Sequence, residues 1–249
     1  MVCQYKGEKG NVMKEEVKKT YNRLATHYEF EVDTKPYNAY LERPTMIEQL
    51  PPLNGKKVLD AGCAAGWYSA YLAREGAEVT AVDLSESMIQ ATVRRTKNLN
   101  VNAFVHDLSS PFPFEKESFD LIVSSLTLHY IKDWSRVFAE FERVLSPGGS
   151  LLFSTHHPFM DYMNFPDHNY YEIQKIDDEW NVNGEKIPMS FYRRSLGEII
   201  KAVTDRFNLI HLVEPTPTEE FNRVHPKGYE KVSTKPNFLI IKSNKPGTL

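Results

Sequence analysis

Between residues 57 and 154 short apolar runs recur, separated by segments whose apolar positions fall at helical spacing. The runs predict strands at 57–61, 78–84, 101–106, 119–124 and 150–154, and the intervening segments predict helices at 67–75, 86–98 and 134–145. Apolar strands alternating with amphipathic helices call for a parallel sheet covered on both faces. Upstream, the pattern predicts a helix from 12 to about 28, a polar bridge and a helix over 38–50. Pro51-Pro52 and Gly55 then punctuate the approach to the first strand. After Thr155 the pattern changes. Residues 159–189 are rich in aromatic and amide side chains, with short strand candidates at 170–175 and 179–182 beside the turn-like Asn183-Gly184, which predicts an antiparallel flap. The core pattern returns as a helix at about 195–204 and strands at 207–213 and 237–242, with Pro215, Pro217, Pro226 and Gly228 marking a loop between them. No period suggests internal repeats. The expectation is one domain over 1–249: a doubly wound α/β fold with a mostly parallel seven-stranded sheet, an N-terminal helical lid at 12–50 and a small antiparallel cap insertion at 157–192.

Within this frame the run Val58-Leu59-Asp60-Ala61-Gly62-Cys63-Ala64-Ala65-Gly66 carries an apolar strand directly into small residues and then a helix. Glycine accepts backbone angles that other residues resist and leaves no Cβ in a ligand's way. A strand end, a tight turn and a helix N-terminus together form the crevice where open α/β sheets bind ligands. Asp83 ends the next strand. Its carboxylate can accept two hydrogen bonds from a ribose diol or cap the helix that begins near Ser85. Alanine at position 64 breaks the G-x-G-x-x-G pattern, and no G-K-[ST] ending follows, so a nucleoside is favoured over a pyrophosphate or triphosphate.

Composition narrows the partners. With 41% hydrophobic and 25% charged residues and a net charge of −3, the chain reads as an ordinary globule with no general attraction to a nucleic-acid backbone. Two cysteines, Cys3 and Cys63, are too few for a disulfide scaffold, and Cys63 reads as a small residue packed beside a ligand. Neither a signal peptide nor a membrane span is apparent, so the expected location is cytoplasmic, with monomer and homodimer both open.

The ordered set V-L-D-A-G-C-A-A-G at 58–66, A-V-D-L-S at 81–85, H-D at 106–107, F-D-L-I-V-S-S at 119–125 and R-V-L-S-P-G-G at 143–149 resembles the class I S-adenosylmethionine-dependent methyltransferases, in particular their small-molecule branch. The resemblance covers roughly residues 20–156. It implies a Rossmann-like methyltransferase sheet, with S-adenosylmethionine as methyl donor and S-adenosylhomocysteine as product. By it, Asp60 orients the turn and the donor's amino-acid end, Gly62 and Gly66 shape the methionine pocket beside Cys63 and Ala64, and Asp83 takes the ribose. Leu84 and Met88 either cover the adenine or belong to the core. Asp107, between His106 and Leu108, accepts from the adenine amine or caps a surface turn. Ser124 and Ser125 end the strand that approaches the methyl group. Tyr21 to Tyr28 resembles the Y-[DN]-x-x-A-x-x-Y segment that closes over the donor, with Tyr21 and Tyr28 as the sealing aromatics or as helix-packing residues.

Methyl transfer of this kind needs an acceptor placed in line behind the methyl group and water excluded, with no metal and no covalent enzyme intermediate. His129, soon after the methyl-donor strand, is the candidate base or orienting residue, and a packed histidine is the alternative. His157, Tyr171, Trp180, Tyr192 and Arg193 are candidate acceptor contacts. The aromatic faces suit a planar or hydrophobic acceptor or form the cap's own core. His156 and His157 are adjacent on an extended chain and point apart, which argues against a two-histidine metal site. Two other functions fit the same residues: an NAD-dependent oxidoreductase on a related sheet, against which the missing middle glycine counts, and a non-catalytic S-adenosylmethionine-binding interaction module.

Overall fold

The computed structural model describes residues 14–22, 33–182 and 184–247. Seven strands form the main sheet: β1 (Lys57–Ala61), β2 (Glu78–Asp83), β3 (Val101–Val105), β4 (Phe119–Ser124), β5 (Leu145–His156), β8 (Asn208–Val213) and β9 (Phe238–Asn244), in the spatial order β3-β2-β1-β4-β5-β9-β8. Pairing is parallel from β3 across to β5, whereas β9 runs antiparallel to both of its neighbours. The doubly wound, mostly parallel sheet expected from the sequence is therefore the fold. The chain begins at the centre with β1, winds outward through β2 to β3, then crosses back to β4. The switch point lies between β1 and β4, where their C-terminal ends open a crevice.

Alternation along the strands divides the core into two layers. Leu59, Ala61 and Ile122 pack with Phe138, Phe141 and Val203 on one face, beneath α5 (Trp134–Val144) and α7 (Leu196–Thr204). Val58, Leu121 and Val123 pack with Met46, Tyr68 and Leu72 on the other, beneath α2 (Arg43–Gln49) and α3 (Trp67–Arg74). Helix α4 (Glu86–Arg95) starts at Ser85, whose hydroxyl accepts from the Met88 N–H, so Ser85 rather than Asp83 caps it. A first helix, α1, covers residues 14–22.

Several elements differ from the pattern reading. The helix expected over 38–50 opens with a wide π turn, Asn38–Glu42, before α2, and this turn carries Glu42 into the interior. The cap strands form one long hairpin of β6 (Gln174–Val182) and β7 (Glu185–Arg193), with Gly184 ahead of β7 at φ 84°. Three short helices, α6 (Pro158–Asn164), α8 (Glu219–Val224) and α9 (Pro226–Val232), occupy segments read as cap or loop. For α6 and α9 the reason is shared: proline stands at the first helical position and a histidine, His157 or His225, accepts the free N–H through Nδ1. Histidine is an uncommon cap, so neither start carried the usual signal.

Candidate active site

At the switch point the turn after β1 is fixed from several directions. Gly62 and Gly66 take left-handed backbone angles, φ 86° and 76°, and a Cβ at Gly62 would stand 2.3 Å from the Thr127 side chain. Ala64 is also left-handed, at φ 46°, an uncommon angle for a residue with a Cβ. It is held there because its N–H donates to Asp83 Oδ2 at 3.0 Å while its carbonyl accepts from Thr92 Oγ1 at 2.7 Å. Opposite, Leu126 follows β4 at φ 47°, its N–H donating to Ser154 Oγ. Two left-handed side-chain-bearing residues thus line the same crevice, the kind of local strain that clusters at functional sites.

The crevice is a cavity of about 1200 Å³. Its β1–β3 wall presents three carboxylates. Asp60 is buried, takes a hydrogen bond from Ser69 Oγ at 2.6 Å, and is pushed up to about 7, by burial first and by Asp83 nearby. Asp83 accepts from the N–H groups of Ala64 and Ser85, which leaves lone pairs on both oxygens; burial raises its pKa. Burial opposes ionisation of Asp107 too, but hydrogen bonds from Lys14 and Ser109 outweigh it and hold this carboxyl below its ordinary value. Cys63 is buried, its thiol pushed well above the ordinary range by burial and by the Asp60 and Asp83 charges, so it is a packing residue rather than a nucleophile. Leu84, His106 and Leu108 complete this half, with burial pushing the His106 imidazole down.

Helix α1 borders the cavity. Lys14 pairs with Asp107, Lys18 with Glu86 at 3.5 Å, Tyr21 donates its hydroxyl to that of Tyr130 at 2.9 Å, and Asn22 Oδ1 accepts from Ser85 Oγ at 2.6 Å. Lys14, Lys18 and Tyr21 all line the cavity. Tyr28, the second aromatic of the lid segment, lies outside the described residues.

Of the serines that end β4, Ser125 lines the cavity and Ser124 does not, and both hydroxyl protons are donated within the protein. Ser124 donates to the Ala61 carbonyl, and Ser125 donates to Glu42 Oε1 at 2.8 Å. Glu42 is fully buried and also accepts from Ser154 and Tyr68; burial raises its pKa, opposed by the three hydroxyls and Arg43. It ties the N-terminal segment to the ends of β4 and β5. Nothing in its sequence neighbourhood, Leu41-Glu42-Arg43, distinguishes it from a surface charge.

His129, His156, Trp180 and Tyr192 also line the cavity. The His129 and His156 rings stack with centroids 4.0 Å apart and planes 18° apart. His129 is pushed well below the ordinary imidazole range, chiefly by burial and then by His156 and Arg194. Six expected contacts stand off the cavity wall. Gly66 caps α3, Met88 packs against Ala65 and Ala91, and Ser124 is buried beneath the wall. His157 caps α6 and pairs through Nε2 with Glu214 at 2.8 Å. Tyr171 is 80% exposed on the outer surface. Arg193 is fully buried away from the cavity, and its two terminal nitrogens donate to the Phe165 and Asn169 carbonyls and to Gln174, which braces the cap. The sequence reading weighed His156 only as half of a two-histidine metal site; its place at the end of β5, a central strand, was the signal that it would reach the cavity.

The carboxylate-rich wall suits a ligand that brings donors and positive charge, and it would repel a pyrophosphate. Residues 59–153 match the family model described as a methyltransferase domain. An uncharacterized protein of Haemophilus influenzae is 30% identical over 227 residues, covering 84% of this chain and 88% of that protein. The crystal structure of an S-adenosylmethionine-dependent methyltransferase from Mesorhizobium loti superposes with a TM-score of 0.66 at 26% identity, covering 82% of this chain and 97% of that one. The chain belongs to the class I S-adenosylmethionine-dependent methyltransferases. A malonyl-[acyl-carrier protein] O-methyltransferase of Erwinia billingiae is 43% identical over 102 residues, 41% of this chain and 39% of that enzyme. The match therefore spans less than half of that relative's length. The shared stretch is about as long as the matched methyltransferase domain. Among the described residues no helix of this methyltransferase is long and apolar enough to cross a membrane.

Proposed function

We propose that this methyltransferase moves the methyl group of S-adenosylmethionine to a small, planar or hydrophobic acceptor by direct in-line displacement inside the cavity. The observation that carries the reading is Asp83, held by two backbone N–H groups at the switch point with free lone pairs on the cavity wall between Asp60 and Asp107. Asp83 would take the ribose hydroxyls, Asp60 the donor's ammonium, and Asp107 the adenine amine. S-adenosylmethionine supplies an electrophilic methyl on a sulfonium sulfur. The chain's own work is orientation and exclusion of water: α1 borders the cavity, and Trp180 and Tyr192 offer aromatic faces at the acceptor end. His129, kept neutral by burial, would orient the acceptor through a ring nitrogen.

Calorimetric titration of the folded protein with S-adenosylmethionine and, separately, with NAD tests the reading. Selective binding of the first is expected, and binding of NAD alone would move the oxidoreductase reading to first place. Asp83→Asn removes the charge but keeps one acceptor oxygen, and should weaken S-adenosylmethionine binding roughly 10- to 100-fold. Unchanged affinity would remove Asp83 from the site. The non-catalytic binding module would show the same affinities but no transfer to any acceptor.

A further inference from the structure

Among the described residues, four buried polar atoms without a hydrogen-bond partner gather at the acceptor end: Nδ1 and Nε2 of His129, Nδ1 of His156 and Oδ1 of Asp161. They come from three elements, the turn after β4, the end of β5 and α6. Buried polar groups are normally satisfied; of these four, His156 Nδ1 and Asp161 Oδ1 face each other behind the wall, while both nitrogens of the cavity-lining His129 lack a partner, which points to a polar ligand or a proton to be handled there. Asp161 Oδ1 stands 3.4 Å from His156 Nδ1, with Asp161 only 3% exposed. Phe191 of β7 meets the His156 ring edge-on at 4.7 Å, and Phe238 of β9 lies beyond at 6.4 Å.

We infer that His156, backed by the Asp161 carboxylate, is the catalytic base that takes the proton from a weakly acidic hydroxyl acceptor, a phenol or enol, while His129 stacked on it stays neutral. The inference rests on the methyl-transfer reading above. The two imidazoles are not equivalent. The groups that face them are the opposing ring, Asp161 from α6 and, near His129, the Tyr130 ring at 4.3 Å and Arg194 just after β7. A proton on His156 is balanced by the Asp161 charge, whereas a proton on His129 meets a second imidazole and a guanidinium. In the step, the acceptor oxygen forms its bond to the methyl carbon as the carbon–sulfur bond breaks. Sulfur keeps that electron pair, the hydroxyl proton passes to His156, and the imidazolium later returns it to solvent. An acceptor already ionised would need no such pair, which is why the class named is a protic one. Asp161 is a positioning residue: it fixes the tautomer with Nδ1 protonated and leaves Nε2 to accept.

The test is NMR of the histidine ring nitrogens at neutral pH with S-adenosylhomocysteine present, the two signals assigned from His156→Gln and His129→Gln. The ring proton of His156 should sit on Nδ1, facing Asp161, and Asp161→Asn should move it toward the other tautomer. A His156 tautomer unchanged in Asp161→Asn overturns the inference. A second readout uses phenol, whose pKa is about 10 like that of tyrosine. Its methylation at neutral pH should fall at least about 100-fold in His156→Gln, and the deficit should shrink as pH rises toward phenolate formation. Phenol turnover equal to the parent's at neutral pH, or a deficit constant with pH, counts against a base. Calorimetry of S-adenosylmethionine on His156→Gln separates the two levels: retained affinity leaves the methyl-transfer reading intact whatever the NMR result, and a parent that fails to bind removes that reading instead.

Discussion

Asp60 shows how a residue can be legible in position and illegible in state. Its place at the end of the first strand follows from the apolar pattern, but its proton depends on burial that only the packed sheet creates. With its pKa pushed from 3.8 to about 7, chiefly by burial, the folded chain holds a proton that the unfolded chain has already lost. Stability should therefore decline as pH rises from about 4 to about 7, and Asp60→Asn should flatten that part of the profile in denaturant titrations. A cationic ligand beside it would favour the ionised form. S-adenosylmethionine binding near pH 6.5 should then release a fraction of a proton, read by calorimetry in buffers of different ionisation enthalpy, and the release should vanish in Asp60→Asn. Glu42 and Arg193 fail the sequence reading for a related reason. Each is a charged side chain whose partners, three hydroxyls in one case and carbonyls of the cap in the other, are distant in sequence.

At the scale of elements, strands and long amphipathic helices were readable because their periodicity is set by burial on a regular lattice. The π turn ahead of α2 and the histidine-capped α6 and α9 were not, because each depends on a local hydrogen bond that the common cap residues do not signal. The lid illustrates what such local bonds control. Helix α1 is held chiefly by polar contacts, to Asp107, Glu86, Ser85 and Tyr130, rather than by a large apolar face. Contacts of this kind contribute about 0.5–1.5 kcal/mol each. Asn22→Ala deletes the acceptor for Ser85 Oγ but leaves Ser85 to cap α4. The expected result is a global stability within about 1.5 kcal/mol of the parent and release of S-adenosylmethionine accelerated about 2- to 10-fold in stopped-flow displacement. Equal release rates would mean that Asn22 does not latch the lid.

For the whole molecule, topology was the most legible property. The alternation of strands and helices implies two-sided coverage, and the return from β3 to β4 creates the switch point without reference to any single side chain. The cavity's extent was less legible, since its far wall is built by the cap hairpin, α6 and the approach to β9, segments joined only by tertiary contact. Asp60, Asp83, Asp107, His129 and His156 line one chamber, and Lys14, Lys18 and Tyr21 of α1 line it as well. Ordered traffic is the expectation on the proposed reading. The donor would seat first, its ammonium against Asp60 and its ribose against Asp83, the acceptor would follow, and the demethylated donor would leave last, once α1 lifts. Steady-state inhibition by S-adenosylhomocysteine should accordingly be competitive with S-adenosylmethionine and mixed with the acceptor; competition with both would indicate random entry. An enzyme arranged in this way is governed by its own spent donor, so its flux in a cell would follow how fast S-adenosylhomocysteine is cleared as closely as how much acceptor is supplied.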